Sequence, residues 1–399
     1  MPEGRTVLLG FARNLFHRRT ASPGFAFSRP LVVLESDDWG RVGVRDRDGY
    51  DQLRAGGLRI GEHPYDLYTL ETADDVTALA SLLARHQDST HRPPCLVMNF
   101  CTFNLDFKKM RAGGFKTLEL LALAQGLPGG WSRPGLLESY RSGIAQGLFH
   151  PALHGATHFC PLAVENASAI SDSGTRCQLL RLLWEADTPY IHWRMPWIGY
   201  EYWNPEKPHA GFIPADRQRL MVKQACEGFL ALFGAAPTSA CAPGYRSSQD
   251  THRAWSEAGV HVAQNGTGSG LRPPRMDGLG LLHLYRTIDF EPSHKELDKE
   301  KYLQIATSCF ARGLPLIISV HSINFHSTLK DFRTATLAAL DELLTALETR
   351  YPDLLYVDHE DIYSMVTEGK CRSSSHGNRG SVAVSQLNWK SRATQVGAY

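Results

Sequence analysis

Short apolar runs of strand length alternate with longer helical patterns from about residue 30 of this 399-residue chain onward. Such alternation is typical of parallel strands joined by crossover helices. Seven or eight strand-helix units favour an α/β barrel, (β/α)7-8, over an open sheet. The expected strands are 31–36, 95–101, 149–154, 239–242, 260–264, 281–289, 316–320 and 354–357, and the expected helices lie near 74–87, 134–146, 164–185, 214–234, 249–258, 296–312 and 330–350.

Polar side chains recur where these predicted strands end. In an α/β barrel the chemistry sits on the loops that follow the strands, so residues at these positions are expected to meet. One coincidence of this kind would mean little, but six of them favour a single site. The residues are Asp37 and Asp38, Asn104 and Asp106, His154 and His158, Pro243 to Arg246, Asp289, and His321.

Two pairs carry most of the chemistry. The pair Asp37-Asp38 alone is more often a solvated surface or a helix cap, and His154 with His158 alone is more often structural. At the tips of separate strands of one barrel, the two imidazoles and a carboxylate form a ligand set suited to a catalytic divalent metal. Zinc is the first expectation, with Co, Mn or Fe as alternatives. The second carboxylate is left free to act as a base.

His321 and the turn from Ala242 to Arg246 complete the expected site. An imidazole across from a carboxylate base is the pairing that amide or ester hydrolysis needs, although a backbone-satisfied His at a strand end is the alternative. Asp289 is expected to orient His321 and raise its pKa. The turn offers backbone N–H groups for an oxyanion, or is an ordinary strand-to-helix connection.

In this order, the segments Ser-Asp-Asp-Trp-Gly, His-x-x-x-His, Ala-Pro-Gly-Tyr and Ser-Val-His-Ser resemble the motifs of the polysaccharide deacetylases of carbohydrate esterase family 4, over residues 30–365. The resemblance implies a distorted (β/α)₇ barrel, a divalent metal and hydrolysis of acetyl groups from an acetylated sugar or oligosaccharide. N-acetyl groups are expected as the substrate in preference to O-acetyl groups. A surface-polysaccharide precursor is one such substrate.

The resemblance also implies roles for individual residues. Asp37 would be the general base and His321 the general acid, with Asp289 as its partner. The metal ligands would be Asp38, His154 and His158, and the oxyanion would rest near Gly244, Tyr245 and Arg246. The chain departs from the family where an Arg usually orients the base, because Ala240-Cys241 stands there. Arg246 and Arg194 are the candidates to replace it.

Composition bounds the setting. A net charge of +1 argues against nucleic acid as a partner. No apolar run reaches the ~18 residues of a membrane span, and no secretory signal is evident, so a cytoplasmic location is expected, with peripheral membrane association as an alternative. Scattered cysteines without Cys-x-x-Cys predict free thiols. The sequence does not specify an oligomeric state.

The expected organisation is a basic N-terminal arm (1–29), a barrel domain (30–368) and a disordered tail (369–399). An aromatic-rich insertion at about 186–212 would pack on the barrel rim or stack sugar rings. Three other functions stay open: a glycoside hydrolase on the same fold, a catalytically weak carbohydrate-binding protein, and a scaffold that docks to membranes through the basic arm.

Overall fold

The computed structural model describes residues 24–169, 174–206, 211–268, 270–369 and 382–387. Its strands are β1 (Gly24–Phe27), β2 (Leu31–Trp39), β3 (Leu96–Phe100), β4 (Phe103–Leu105), β5 (Leu120–Ala122), β6 (Phe149–Leu153), β7 (Ser239–Cys241), β8 (Val262–Asn265), β9 (Arg275–Met276), β10 (Leu282–Tyr285), β11 (Ile288–Asp289), β12 (Leu316–His321), β13 (Leu355–Tyr356) and β14 (Val384–Leu387). Its helices are α1 (Arg47–Ala55), α2 (Ala73–Leu83), α3 (Phe107–Ala112), α4 (Leu136–Ala145), α5 (Pro161–Ala169), α6 (Thr175–Glu185), α7 (Ala215–Phe233), α8 (Gln249–Glu257), α9 (Lys299–Phe310), α10 (Arg333–Arg350) and α11 (His359–Glu368).

Parallel pairing runs through β11, β12, β2, β3, β6, β7, β8 and β10 in that order. The first and last of these strands belong to one continuous segment, 282–289. Its first half pairs with β8 and its second half pairs with β12, so the ring closes through this segment. The result is a barrel of seven strands, in which the seventh bends to serve both neighbours. The predicted α/β barrel is confirmed, at the lower end of the expected strand number.

Alternation along each strand divides the barrel interior into layers. Side chains two apart on a strand face the same side, so Leu31 and Val33 on β2 precede Glu35 and Asp37 on the interior face. The lower layers, near the starts of the strands, are apolar, whereas the upper layers, near the strand ends, are polar. Members of the apolar cluster include Leu31, Val33, Val97, Ala152, Val262, Leu282, Leu284 and Ile317.

The lower end of the barrel is closed by elements that the sequence did not predict. β1 and β14 pair with each other antiparallel, and Phe25 and Phe27 of β1 join the apolar cluster together with residues of α11. β1 thus begins inside the predicted arm, and β14 lies inside the predicted tail. The prediction of disorder is wrong at Val384–Leu387, because pairing to the edge of β1 supplies the order that composition alone does not indicate. The remaining arm and tail residues, 1–23, 370–381 and 388–399, lie outside the described residues.

Two further differences concern the middle of the chain. Within the helix expected at 164–185, α5 ends at Ala169 and α6 begins at Thr175, and Gly174 before it has an extended backbone. Residues 170–173 lie outside the described ones. Helices α1, α3 and α11 were not predicted. The insertion expected at about 186–212 contains short 3₁₀ turns at His192–Arg194 and Pro196–Ile198 rather than longer helices or strands among its described residues. Within the described part of the chain, no helix has both the length and the apolar character that crossing a membrane requires.

A buried ionic network occupies the interior above the apolar layers. Glu35 accepts from Arg286 Nε at 2.6 Å and lies 2.7 Å from His359 Nε2. The other ring nitrogen of His359 lies 2.6 Å from Ser239 Oγ. Glu35 and His359 are fully buried and Arg286 nearly so, so each depends on its partners to offset the loss of water.

We predict that Glu35→Gln destabilises the protein by about 3 kcal/mol or more, because it removes a charge from a buried network while keeping the shape. Urea denaturation followed by circular dichroism measures the loss. The control is Glu257→Gln, which removes one partner of the exposed Arg219–Glu257 pair and should change stability by less than about 1 kcal/mol. Equal effects in the two variants would contradict a stabilising role for the network.

Candidate active site

A β-bulge at the end of β2 brings Asp37 and Asp38 to the same cavity. Neighbouring residues of a regular strand face opposite sides, so two adjacent carboxylates would normally diverge. Here the register with β3 shifts between Ser36 and Trp39, and Asp38 has a φ of 75°. Asp tolerates this left-handed conformation better than most residues. Both carboxylates therefore line one cavity of about 480 Å³.

Asp38, His154 and His158 converge as the sequence predicts. Asp38 Oδ1 lies 3.4 Å from His154 Nε2 and 3.2 Å from His158 Nε2. The second oxygen of Asp38 accepts from Arg41 at 3.0 Å, which leaves Oδ1 to face the two imidazoles. Burial favours the neutral form of Asp38, but Arg41 still holds the pKa of this carboxyl well below its usual range.

The protons in this cluster fit a divalent metal. His154 Nδ1 lies 2.9 Å from the Cys241 carbonyl, which can only accept, so Nδ1 carries a proton and Nε2 is the ring nitrogen directed at Asp38. Burial lowers the pKa of His158 well below its usual value, so the His158 ring is neutral. Asp38 Oδ1 has no hydrogen-bond donor among the described residues. One ligand atom from each of the three residues lies within 4.8 Å of the other two. The two distances from Asp38 Oδ1, 3.4 and 3.2 Å, are close to the ~3.3 Å between ligands of a tetrahedral zinc.

Asp37 is held by Arg286, which comes from the segment between β10 and β11. The guanidinium donates to both oxygens of Asp37, at 2.6 and 2.7 Å, and Asn99 donates to Oδ1 at 2.8 Å. Burial opposes ionisation, yet Arg286 holds the pKa of Asp37 far below its usual range. The carboxylate is therefore ionised and fixed in orientation. Neither Arg246 nor Arg194 takes this part, contrary to the sequence-based expectation.

His321 stands beside Asp37 because β12 and β2 pair in parallel with these two residues in register. Its Nε2 lies 3.9 Å from Asp37 Oδ2, and its Nδ1 lies 2.6 Å from Glu291 Oε1. Burial lowers the pKa of His321, but the carboxylate of Glu291 outweighs it, and the pKa rises to about 9. The ring is thus protonated at neutral pH, with Nε2 available to the cavity.

The expected contact between Asp289 and His321 is not made. Asp289 instead accepts hydrogen bonds from Ser319 Oγ and Thr267 Oγ1, each at 3.2 Å. The chain continues past the end of β11, so the carboxylate that reaches the imidazole is Glu291, two residues further on. The sequence correctly indicated a carboxylate partner but assigned it to the wrong position.

The turn after β7 is placed only partly as predicted. Gly244 and Tyr245 line the cavity, and both have positive φ. The Tyr245 amide donates to the Ala242 carbonyl at 2.8 Å, so this N–H is used within the turn, while the phenol lies 3.5 Å from Asp37 Oδ2. The guanidinium of Arg246 packs over the Trp203 ring, 4.8 Å from its centre, and does not line the cavity.

Aromatic and imidazole rings form the cavity walls. His63 stacks on Trp193 with ring centres 4.7 Å apart, and His192 stacks on Tyr200 with ring centres 4.6 Å apart. Three of these four rings belong to the insertion. Its Arg194 pairs with Asp66 at 2.7 Å, which fixes the Trp193 side of the wall. The insertion thus contributes flat rings to the cavity wall, and stacking of sugar rings on them stays a prediction.

Sequence reasoning missed Arg286, Glu291, Arg41 and Glu35. A signal for Arg286 was present, because it follows Leu282 by four residues and Leu284 by two. Residues spaced by two along a strand share a face, and these two leucines face the barrel interior. Asn104, which was singled out, holds the loop after β2 by bonding the Val42 amide and the Gly40 carbonyl. Asp106 accepts from the Lys109 amide at the start of α3.

No protein-family model matches the chain, and no curated protein matches it either. Among solved structures, PuuE allantoinase is 13% identical with a TM-score of 0.45, over 86% of this chain and 92% of that one. A family 4 carbohydrate esterase from Streptomyces lividans in complex with acetate is 11% identical with a TM-score of 0.33, over 82% and 90%. The BpsB deacetylase domain from Bordetella bronchiseptica is 12% identical with a TM-score of 0.31, over 74% and 97%. Similarity at this level carries no information on chemistry or substrate. The solved structures similar to this chain thus include the deacetylases and family 4 esterases that its motifs resemble.

Proposed function

We propose that the chain is a metal-dependent hydrolase that removes acetyl groups from an acetylated sugar, with N-acetyl groups as the preferred target. The observation that carries the proposal is the convergence of a two-histidine and carboxylate set with an ionised base and a protonated acid in one cavity. Asp38, His154 and His158 would hold the metal, for which zinc is proposed.

A divalent metal held there would polarise the acetyl carbonyl and lower the pKa of a bound water from about 16 to about 7. Asp37, kept ionised by Arg286, accepts the proton of the water that adds to the acetyl carbon. His321 donates its Nε2 proton to the leaving nitrogen as the C–N bond breaks. Acetate and a free amine are the products. Asp37 then releases the proton it accepted, and His321 takes up a proton for the next turnover, which the carboxylate of Glu291 favours by raising the pKa of His321.

The cavity walls support a sugar as the substrate. The stacked rings of the wall offer the flat apolar surfaces that sugar rings favour, and Tyr and His side chains offer hydrogen bonds to hydroxyls. Among the described lining residues the one guanidinium is Arg41, which is paired with Asp38 and Tyr190. A neutral sugar therefore suits this cavity better than a group carrying free phosphate.

A glycoside hydrolase is the second candidate on the same fold, but the site does not favour it. That chemistry uses two carboxylates on opposite sides of the scissile bond, about 5–9.5 Å apart. The carboxylates that line the cavity within the described residues are Asp37 and Asp38, which are adjacent in sequence and each paired with an arginine.

The test of the proposed function is acetate release from a panel of N- and O-acetylated sugars, with and without a chelator. We expect release that depends on metal, and its loss in His154→Ala together with the bound metal. The control is His150→Gln, at the opposite end of β6, which should retain both. Sugar cleavage without acetate release would instead support a glycoside hydrolase, and full activity and metal content in His154→Ala would overturn the assignment.

His321→Ala separates the proton donor from the metal ligands. We expect metal binding to persist, because His321 contacts Asp37 and Glu291 rather than Asp38, and kcat to fall by about 100- to 10,000-fold. Metal analysis and steady-state kinetics measure the two quantities. A metal-free variant would place His321 among the ligands instead.

Glu291→Gln tests the protonation of His321. Activity of the parent should decline as the pH rises through about 9, where His321 loses its proton. Because the carboxylate is what raises that pKa, the alkaline limb of the kcat profile should move to lower pH by about one unit or more in the variant. Asp289→Asn is the matched control and should leave the limb in place. An unmoved limb in Glu291→Gln would contradict the assignment of His321 as the acid.

A further inference from the structure

Glu201 of the insertion binds the turn between His154 and His158, the two histidines proposed to hold the metal. This carboxylate is fully buried, and its Oε1 accepts from the amides of Ala156 at 2.7 Å and Thr157 at 3.2 Å. These two amides lie in the turn between His154 and His158. Both Ala156 and Thr157 are buried, so their N–H groups depend on an acceptor supplied by the protein.

Two backbone carbonyls of the same turn also accept hydrogen bonds. The Gly155 and Ala156 carbonyls accept from the amides of Thr102 and Phe103, at 3.1 and 2.9 Å. Thr102 and Phe103 thus bind two carbonyls of the turn, and Glu201 of the insertion binds two of its amides. A second tie is the bond from the Cys160 amide to the Ile198 carbonyl of the insertion, at 3.0 Å.

Gly155 allows the carboxylate to approach this closely. Its φ is 99°, and a Cβ built at this position would overlap the carboxylate of Glu201. Any larger residue would therefore push Glu201 away from the two amides in addition to straining the backbone. The contact therefore depends on both residue types, the glycine in the turn and the buried acid in the insertion.

We propose that Glu201 is a positioning residue, which holds the turn from His154 to His158 in the geometry that binds the metal. The inference rests on the proposed metal site and makes the insertion part of that site as well as part of the cavity wall. Burial raises the pKa of Glu201 to about 8, so the neutral carboxyl predominates at neutral pH. A glutamine, which is neutral and keeps the accepting oxygen, should therefore replace it.

The experiment compares Glu201→Ala, Glu201→Gln and Gly155→Ala by zinc affinity, measured in competition with a chelating dye. Glu201→Ala and Gly155→Ala should weaken zinc binding by about 10- to 100-fold, the usual effect of removing a group that orients a ligand, whereas Glu201→Gln should stay close to the parent. The matched control is Asp66→Asn, which releases the insertion at its Trp193 side and should leave zinc affinity within about twofold of the parent.

Hydrogen exchange on the metal-free proteins supplies a readout that needs neither metal nor substrate. Exchange of the Ala156 and Thr157 amides should accelerate in Glu201→Ala and return toward the parent rate in Glu201→Gln. Zinc affinity and amide protection equal to those of the parent in both Glu201→Ala and Gly155→Ala would overturn the inference. It would also be overturned if zinc binding weakened as much in Glu201→Gln and Asp66→Asn as in Glu201→Ala. A parent protein that binds no zinc would instead overturn the proposed function, while the exchange experiment would still test the contact.

Discussion

The guanidinium of Arg286, buried at the centre of the barrel, is the interaction on which the rest of the site depends. It binds Asp37 with both terminal nitrogens and Glu35 with Nε, so one cation balances two buried carboxylates in successive layers. Without it, the interior would hold uncompensated negative charge, which a low-dielectric environment strongly disfavours. The same contact keeps Asp37 ionised and fixes its orientation. Arg286 therefore both stabilises the fold and orients the proposed base.

Each titratable group that we place in the reaction has its own partner of opposite charge. Arg286 binds Asp37, Arg41 binds one oxygen of Asp38, and Glu291 binds His321. These partners give two adjacent carboxylates different surroundings, since Asp38 faces the imidazoles of His154 and His158 and Asp37 faces the protonated imidazole of His321. The division of labour between Asp37 and Asp38 thus comes from what surrounds them, because their residue type is the same.

Local backbone strain makes this arrangement available. The positive φ of Asp38 and the shifted register of β2 place in one cavity two side chains that a regular strand would separate. Strained residues of this kind persist where the surrounding structure holds them firmly. Here the support includes Tyr68, whose hydroxyl donates to the Asp38 carbonyl at 2.7 Å. Glu201 likewise binds the turn between His154 and His158, by accepting from two of its amides.

The sequence by itself determined the alternation of strands and helices, and with it the barrel and the edge at which polar residues gather. It also indicated both carboxylates, His154, His158 and His321, because they lie at or shortly after the ends of predicted strands. It did not separate Asp289 from Glu291, since the choice depends on where the strand stops and how the loop turns. It missed Glu201, which lies in an insertion without periodicity and reaches the turn from 45 residues away. Only the tertiary structure decided these pairings and closed the barrel through one bent strand, because contacts between segments distant in sequence depend on packing and leave no local pattern.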